Sequence, residues 1–444
     1  MKRKIVLPIF LGMLILTGCQ QSEDLDWPNQ PANSEISTTP SRSIKDAINI
    51  ASEWMNRPEI SSDGTRAEED NVIENIEILT AKATSASSDT LLYLINYANL
   101  KGYAIIGAKQ GNHPVYAFSE KGNLSFSDTV SNLGFRTFVH SFLSQLVNET
   151  STRSNDLASP SSLNPTTYTV LFRQAQPMLP EAVANWNQGA PYNLLAPTVE
   201  GKQGVVGCVP LAVGQLLAYY KAPQFLDGKK LDWDGIVSGN NITHIAYLLE
   251  TLASEKYTDA TYVEILDSNK KPTGHLNPDS RSAFPSRITT TMQALGFDVS
   301  KAFKDLRIKD IYNRHEIFSF MDGSGTEPPY KKAPVLMGVS LGETDGSGII
   351  HSGGHRFVVD GYKEYEEYSR IIEGDTFLGY ITYLHCIWGE KNPGENGYYR
   401  YYPDLDRIHN IGTPYNDYGY YGYYGNVYGR YGVPFSLTPT PITP

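Results

Sequence analysis

Hydrophobic residues follow three spacings along the chain, and each predicts a different kind of element. Met1-Lys2-Arg3-Lys4 is basic, and Ile5 to Leu16 is a continuous apolar run. That run is shorter than the roughly 20 residues of a membrane-spanning helix and reads as a targeting signal over 1–19. Residues 20–42 are polar and rich in Ser, Thr, Asn and Pro, as in a flexible stalk. After Ser43, the apolar positions Ala47, Ile48, Ile50, Ala51 and Trp54 recur at helical spacing. A breaker stretch, 56–70, leads to strand-like runs at 91–97, 102–107 and 114–118, punctuated by Asn and Gly. The pattern predicts a small α+β domain over 43–147.

From Asn148 to Thr167 the sequence turns to Asn, Ser, Thr and Pro with little hydrophobic content, marking a linker that contains Arg153. Exposed segments of this kind are where proteolytic cutting concentrates. Residues 168–412 form the large domain. Its helical segments, 211–220 and 242–254, come first, and strands at 334–340, 355–362, 379–388 and 397–402 come later. That order predicts an α+β fold with two lobes. In the tail, 413–444, Tyr and Gly alternate irregularly from Pro414 to Tyr431 with too few aliphatic residues to build a core, which predicts a loop or disordered extension. Stacking on a partner or glycan is the alternative for it.

Composition narrows the class. Of 444 residues, 40% are hydrophobic and 19% charged, a globular balance. The net charge of −11 argues against nucleic acid as a partner, because phosphate binding needs basic surface. Cys19, Cys208 and Cys386 are too far apart for a disulfide framework, no Cys/His cluster has metal spacing, and no cofactor is expected. Leu16-Thr17-Gly18-Cys19 resembles the lipobox of bacterial lipoproteins, which implies acylation at Cys19 and a membrane tether. A plain signal peptide or a signal anchor is the alternative. Glu23, Asp24 and Asp26 resemble surface-export signals of Bacteroidetes lipoproteins. The expected location is the cell envelope, as an outer-membrane lipoprotein.

Reactive chemistry concentrates in three segments. Gly204-Val205-Val206-Gly207-Cys208-Val209-Pro210 leads into an apolar helical face, so Cys208 stands at a helix N-terminus, where unpaired N–H groups favour thiolate. A small buried core residue is the other reading of that cysteine. Among nine histidines, His355 opens the apolar run Phe357-Val358-Val359 after two glycines. His351, in a glycine-flanked loop, competes with it, and His385 reads as structural. The polar-aromatic loop around Gln188 offers a side-chain amide that could donate to an oxyanion.

The order Trp186-x-Gln188-x-x-Pro191-Tyr192-Asn193, then Gly207-Cys208-Val209, then Gly353-Gly354-His355-x-Phe357-Val358-x-Asp360-Gly361-Tyr362, resembles the streptopain family of papain-like cysteine proteases. Trp388-Gly389 and Asn396-Gly397-Tyr398-Tyr399-Arg400 extend the likeness, and residues 43–147 are similar to that family's propeptide. The resemblance implies a papain-like domain behind an inhibitory propeptide bound in cis, acting on proteins or peptides. It implies Cys208 as nucleophile, His355 as base and then acid, Gln188 in the oxyanion hole and Trp388 covering the dyad.

Three departures from the family pattern stand out. Ile387-Trp388-Gly389-Glu390 replaces Asn-Trp-Gly-Trp, Pro210-Leu211 follows the cysteine where small residues are common, and Arg356 follows the histidine. They leave open a weakened or inactive homologue serving as a surface binding lipoprotein. An acyltransferase on the same dyad is a third reading.

Overall fold

Ser43 starts the first helix where the spacing predicts one. Its side chain accepts the Asp46 N–H while the Asp46 carboxylate accepts the Ser43 N–H, a reciprocal cap. This helix, α1, runs Ile44–Met55 and buries Ala47, Ala51, Trp54 and Met55. The computed structural model describes residues 41–401, apart from 61–65, 82–88, 111–112, 137, 140–141, 143–165, 268–270, 284–286, 298–317, 319–320, 325–331, 345–349 and 372–373, and also residues 430–431. The predicted signal with Cys19, and most of the stalk, the linker and the tail, lie outside the described residues. The end of the stalk is tied down. Arg42 donates its N–H to Ala108 O at 2.6 Å and its guanidinium to Gly107 O at 3.0 Å.

Four antiparallel strands follow α1: β1 Ile73–Ala81, β2 Asp89–Tyr97, β3 Tyr103–Gly107 and β4 Val115–Ser119. The last three match the predicted runs within two residues. β1 escapes the pattern because register shifts on either side of its paired stretch break the alternation of apolar positions. In the large domain, β5 Thr166–Ala175 precedes the helices α2 Cys208–Tyr220, α3 Ile242–Ala253 and α4 Arg287–Ala294. The strands β6 Val335–Thr344, β7 Ile350–Ile371, β8 Gly374–Ile387 and β9 Gly397–Tyr401 come after them. Helices on one side and the antiparallel sheet on the other give the expected α+β, two-lobed papain-like arrangement.

All these strands, with a two-residue β10 at Arg430–Tyr431, join one ten-stranded sheet, ordered β1-β2-β3-β4-β9-β8-β7-β6-β10, with β5 also on β7. β7 is the long member at 22 residues. β6 pairs with its first half and β5 with its second half along one edge, while β8 runs along the other. His351 is therefore on a strand, opposite Glu343, and not in the loop its flanking glycines suggest. Pairing with a neighbour on the sheet satisfies the backbone there, so Gly353 and Gly354 need not break it. The tail also departs from the loop reading at Tyr431 and Arg430, which pair with Met337 and Gly338.

The N-terminal domain and the large domain share this sheet through the β4–β9 pairing, Phe118 with Tyr398 and Ala117 with Tyr399. One face carries α1. Its Trp54 ring lies 5.0–5.8 Å from the rings of His113, Phe118, Tyr365 and Tyr383, so residues of both domains form one aromatic cluster. The opposite face packs Phe135, Phe138 and Phe142 of the N-terminal domain into the same core as Val209, Ala212 and Val213 of α2. Trp54→Ala would remove a buried ring from the first cluster. We expect a loss of about 3 kcal/mol in denaturant unfolding, as for other core aromatic truncations, with faster proteolytic loss of residues 41–142. Unchanged proteolysis would show that the two domains do not depend on this cluster.

Candidate active site

Gly207 turns the chain into α2 with φ +97°, a conformation that side chains rarely adopt, and a Cβ there would stand 3.1 Å from Arg281 O. Cys208 is thereby the first residue of the helix, half-buried, with the following residues from Val209 to Ala218 fully buried. Burial pushes its thiol up, against three influences that favour thiolate or lie near it: the Arg356 backbone N–H, the Arg356 guanidinium and its own backbone N–H. The Glu390 charge acts in the opposite sense. Cys386 is fully buried, donates weakly to Leu384 O at 3.5 Å and is held far more strongly as thiol, so it is a core residue.

His355 lies on β7 with only 3% of its surface exposed. Its Nε2 is 2.8 Å from Trp388 O. A carbonyl can only accept, so Nε2 carries the proton and Nδ1 is the basic atom of the neutral ring. Nδ1 faces Glu390 Oε1 at 3.8 Å. Burial, opposed by the Trp388 carbonyl and assisted by the Arg356 charge, lowers His355 to about 4. Between Cys208 and His355 themselves there is no hydrogen bond among the described residues. The structure brings them together through Arg356, whose backbone follows the histidine and meets the sulfur.

Gln188 sits on the loop before α2, which is fixed by the Val206 N–H bond to Gln188 O at 2.9 Å. Its Nε2 donates to Glu390 Oε1 at 3.2 Å. Glu390 is mostly buried, and burial together with the Glu395 charge raises it to about 8. Trp388 is 1% exposed and anchored by Nε1–H to Glu395 O at 3.1 Å and by its N–H to Asn396 Oδ1 at 3.0 Å. Its ring packs on Phe357 at 4.5 Å and beside His355 at 6.5 Å. Ile387, the residue without hydrogen-bonding capacity, is buried one position earlier, so the Trp388 carbonyl orients the imidazole instead.

The N-terminal domain covers this site. Residues 133–136 are helical, and a Cβ on Gly134 would stand 2.4 Å from the Trp388 ring and 3.1 Å from His355 Cδ2. Phe138 packs edge-on to Trp388 at 5.3 Å. Asn132 donates to the Glu395 carboxylate, which burial has raised to about 7. No motif marks Gly134, Asn132 or Glu395, since their contacts exist only across the domain boundary. Glu390 was visible only as a departure from a family pattern. His385, read as structural, is 2.6 Å through Nδ1 from Asp360 Oδ1 and away from Cys208's contacts. Among the described residues no group of three His, Cys, Asp or Glu could hold a metal ion.

The family model described as the peptidase C10 family matches residues 186–399, spanning Gln188, Cys208, His355 and Trp388. Residues 186–399 belong to the peptidase C10 family. A second model, the Spi protease inhibitor, matches residues 36–145. The thiol protease/hemagglutinin PrtT of Porphyromonas gingivalis is 25% identical over 193 residues, 40% of this chain and 20% of that protein. Streptopain of Streptococcus pyogenes is 22% identical over 232 residues, 49% of this chain and 52% of streptopain. The chain thus spans about half the length of streptopain and a fifth of PrtT. A prointerpain A fragment from Prevotella intermedia aligns at 18% identity and TM-score 0.42, covering 74% of this chain and 92% of the fragment. Active interpain A from the same organism aligns at 19% and TM-score 0.30, over 51% of this chain and 85% of that one.

The inhibitor-like domain's contact with the site is testable at its tightest point. Gly134→Ala would force a methyl against a rigid indole, so the segment must lift. We expect Cys208 in the uncut chain to be alkylated about tenfold faster than in the parent protein, as judged by mass spectrometry. An unchanged rate would mean that residues 133–136 do not restrict the sulfur.

Proposed function

We propose that the chain is a lipid-anchored cysteine endopeptidase made as a zymogen, hydrolysing peptide bonds through Cys208 and His355. The observation that carries this reading is the seating of Cys208 at the start of α2 against the N–H that follows His355, with Gly134 and Phe138 of the inhibitor-like domain packed on Trp388 beside that histidine. The C10 and inhibitor matches support a thiol peptidase with its propeptide in cis. The lipobox-like Leu16-Thr17-Gly18-Cys19 supports the anchor and an outer-membrane location.

In this mechanism the Cys208 proton passes to Nδ1 of His355, the nitrogen that the Trp388 hydrogen bond leaves bare. The sulfur attacks the substrate carbonyl carbon. The resulting oxyanion accepts hydrogen bonds from the Cys208 N–H and from Gln188 Nε2. The C–N bond breaks as imidazolium gives its proton to the leaving amine, and a thioester remains. Water, deprotonated by His355, then releases the acid and restores the thiol. The paired neutral forms described above, a raised thiol and a lowered imidazole, fit a site held inactive until the inhibitor-like domain leaves.

The binding-protein reading draws on one observation, the missing Cys208–His355 hydrogen bond. An epoxide probe for cysteine proteases separates the two, applied to protein without residues 1–19, before and after a cut within 148–167, beside Cys208→Ser. We expect labelling only after the cut and none in the variant, with casein hydrolysis following the same pattern. Folded, cut protein that takes up no probe would favour the binding lipoprotein, and labelling that survives Cys208→Ser would point to Cys386. Product formation that depends on an added amine would indicate acyl transfer.

A further inference from the structure

Glu390 stands where the family pattern has a tryptophan, and neither the family resemblance nor the mechanism above gives it a part. Its Oε1 lies 3.2 Å from Gln188 Nε2 and 3.8 Å from His355 Nδ1. The side chain is only 16% exposed, so water does little to screen it. A buried carboxyl beside a bare imidazole nitrogen has one evident electrostatic consequence. When Nδ1 takes a proton, an ionised Glu390 stabilises the charge that forms.

We propose that Glu390 is a positioning residue of the thiol-peptidase reaction, which holds the Gln188 amide at the site and acts as counter-charge to the His355 imidazolium. This inference rests on the function proposed above. The ring's other nitrogen is occupied by the Trp388 carbonyl, a neutral partner, so the counter-charge must come from the Nδ1 side. Ile387 contributes none. Glu390 therefore restores, from three residues along the same loop, an influence on the histidine that the pattern's Asn would supply one position before Trp388.

The charged groups around the pair fix the direction of the effect. On α2, the thiolate form of Cys208 would favour imidazolium as an opposite charge, while Arg356 on β7 opposes it. On Glu390's own loop, Lys391 favours its ionisation and Glu395 opposes it. Gln188, from the loop before α2, also favours the ionised form. An opposite charge at 4–6 Å shifts a titration by about one unit or more. Removing the Glu390 charge lowers the pH at which imidazolium is lost, so the alkaline limb of activity moves down.

The test compares the wild type with Glu390→Gln, Glu390→Asp and Glu390→Ala in the full chain cut within 148–167. Peptide hydrolysis is followed from pH 5 to 10, and Cys208 alkylation by chloroacetate, an anion drawn by imidazolium, is followed over the same range. Glu390→Gln keeps an acceptor for Gln188 but loses the charge. We expect its alkaline limb to fall by about one unit in both measurements, with Tm unchanged. Glu390→Asp should restore most of the limb. Glu390→Ala should show the same shift and a further roughly tenfold loss in kcat with little change in KM, because Gln188 is released as well. An unchanged limb in Glu390→Gln overturns the counter-charge role, and unchanged kcat in Glu390→Ala overturns the hold on Gln188. If the wild type alkylates with these limbs but hydrolyses nothing, the proposed function fails while the counter-charge role of Glu390 toward His355 stands.

Discussion

The hydrogen bond from His355 Nε2 to the Trp388 carbonyl fixes what the rest of the site can do. It selects one tautomer, since the carbonyl accepts and cannot donate, and leaves Nδ1 as the basic nitrogen. It does so with backbone, which does not depend on a particular side chain. Ile387, where the family pattern has Asn, therefore need not hydrogen-bond for the ring to be oriented. The carbonyl is itself immobilised, because Trp388 is held by Asn396 and by Glu395 O, and its ring is wedged between Phe357, Phe138 and Tyr399. An aromatic cluster thus sets the orientation of an imidazole through one carbonyl.

Electrostatics and packing agree on the state of this site. A thiol pushed up, an imidazole lowered to about 4 and a Glu390 carboxyl raised to about 8 are all favoured as neutral species near neutral pH. Desolvation leads each of these shifts, and Asn132, Gly134 and Phe138 press on Glu395, His355 and Trp388. Ion-pair chemistry needs the reverse, with water or charge available to support thiolate and imidazolium. Exclusion of solvent is enough to hold the groups silent without moving Cys208 off its helix. The inhibitor-like domain is kept in place by more than this contact, since β4 extends the peptidase sheet at β9 and α1 closes an aromatic cluster on its other face.

Elements whose side chains alternate or recur by themselves were legible in the sequence. The capped α1, the strands β2 to β4 and the helix behind Cys208 all follow from spacing, glycine and capping residues. β1 was hidden by its register shifts, and β5 by a boundary drawn from composition, since Thr166 and Thr167 read as linker but pair with Arg370 and Ser369. Cys208, His355, Gln188 and Trp388 came from motifs, and their convergence could not be read locally because they lie on a helix, a strand and two loops. Glu390 and the residues 132–138 were out of reach for a different reason. Their significance lies in which groups they touch, and a glutamate after Trp-Gly looks like any solvated turn until its neighbours are known.

β7 explains why these parts converge. His355 is its sixth residue, and Arg356 next to it meets the Cys208 sulfur with its N–H. Asp360, four positions later, is 2.6 Å from His385 and accepts the N–H groups of Met178 and Leu179 at 3.1 and 2.9 Å. That tie fixes the chain just before the turn at Glu181–Ala184 and the loop carrying Gln188. The two histidines of neighbouring strands therefore divide the labour by partner. His385 meets a carboxylate already saturated by backbone and serves as an anchor, whereas His355 meets a carbonyl and keeps a free nitrogen. Strand β8 supplies His385 and leads directly to Trp388, so the same antiparallel pair that anchors the Gln188 loop also orients His355. A shift of one residue in β7 against β8 would turn His355 to the other face of the sheet and separate it from Cys208. The fold's longest strand pairing is thus also the constraint that sets the geometry of its chemistry.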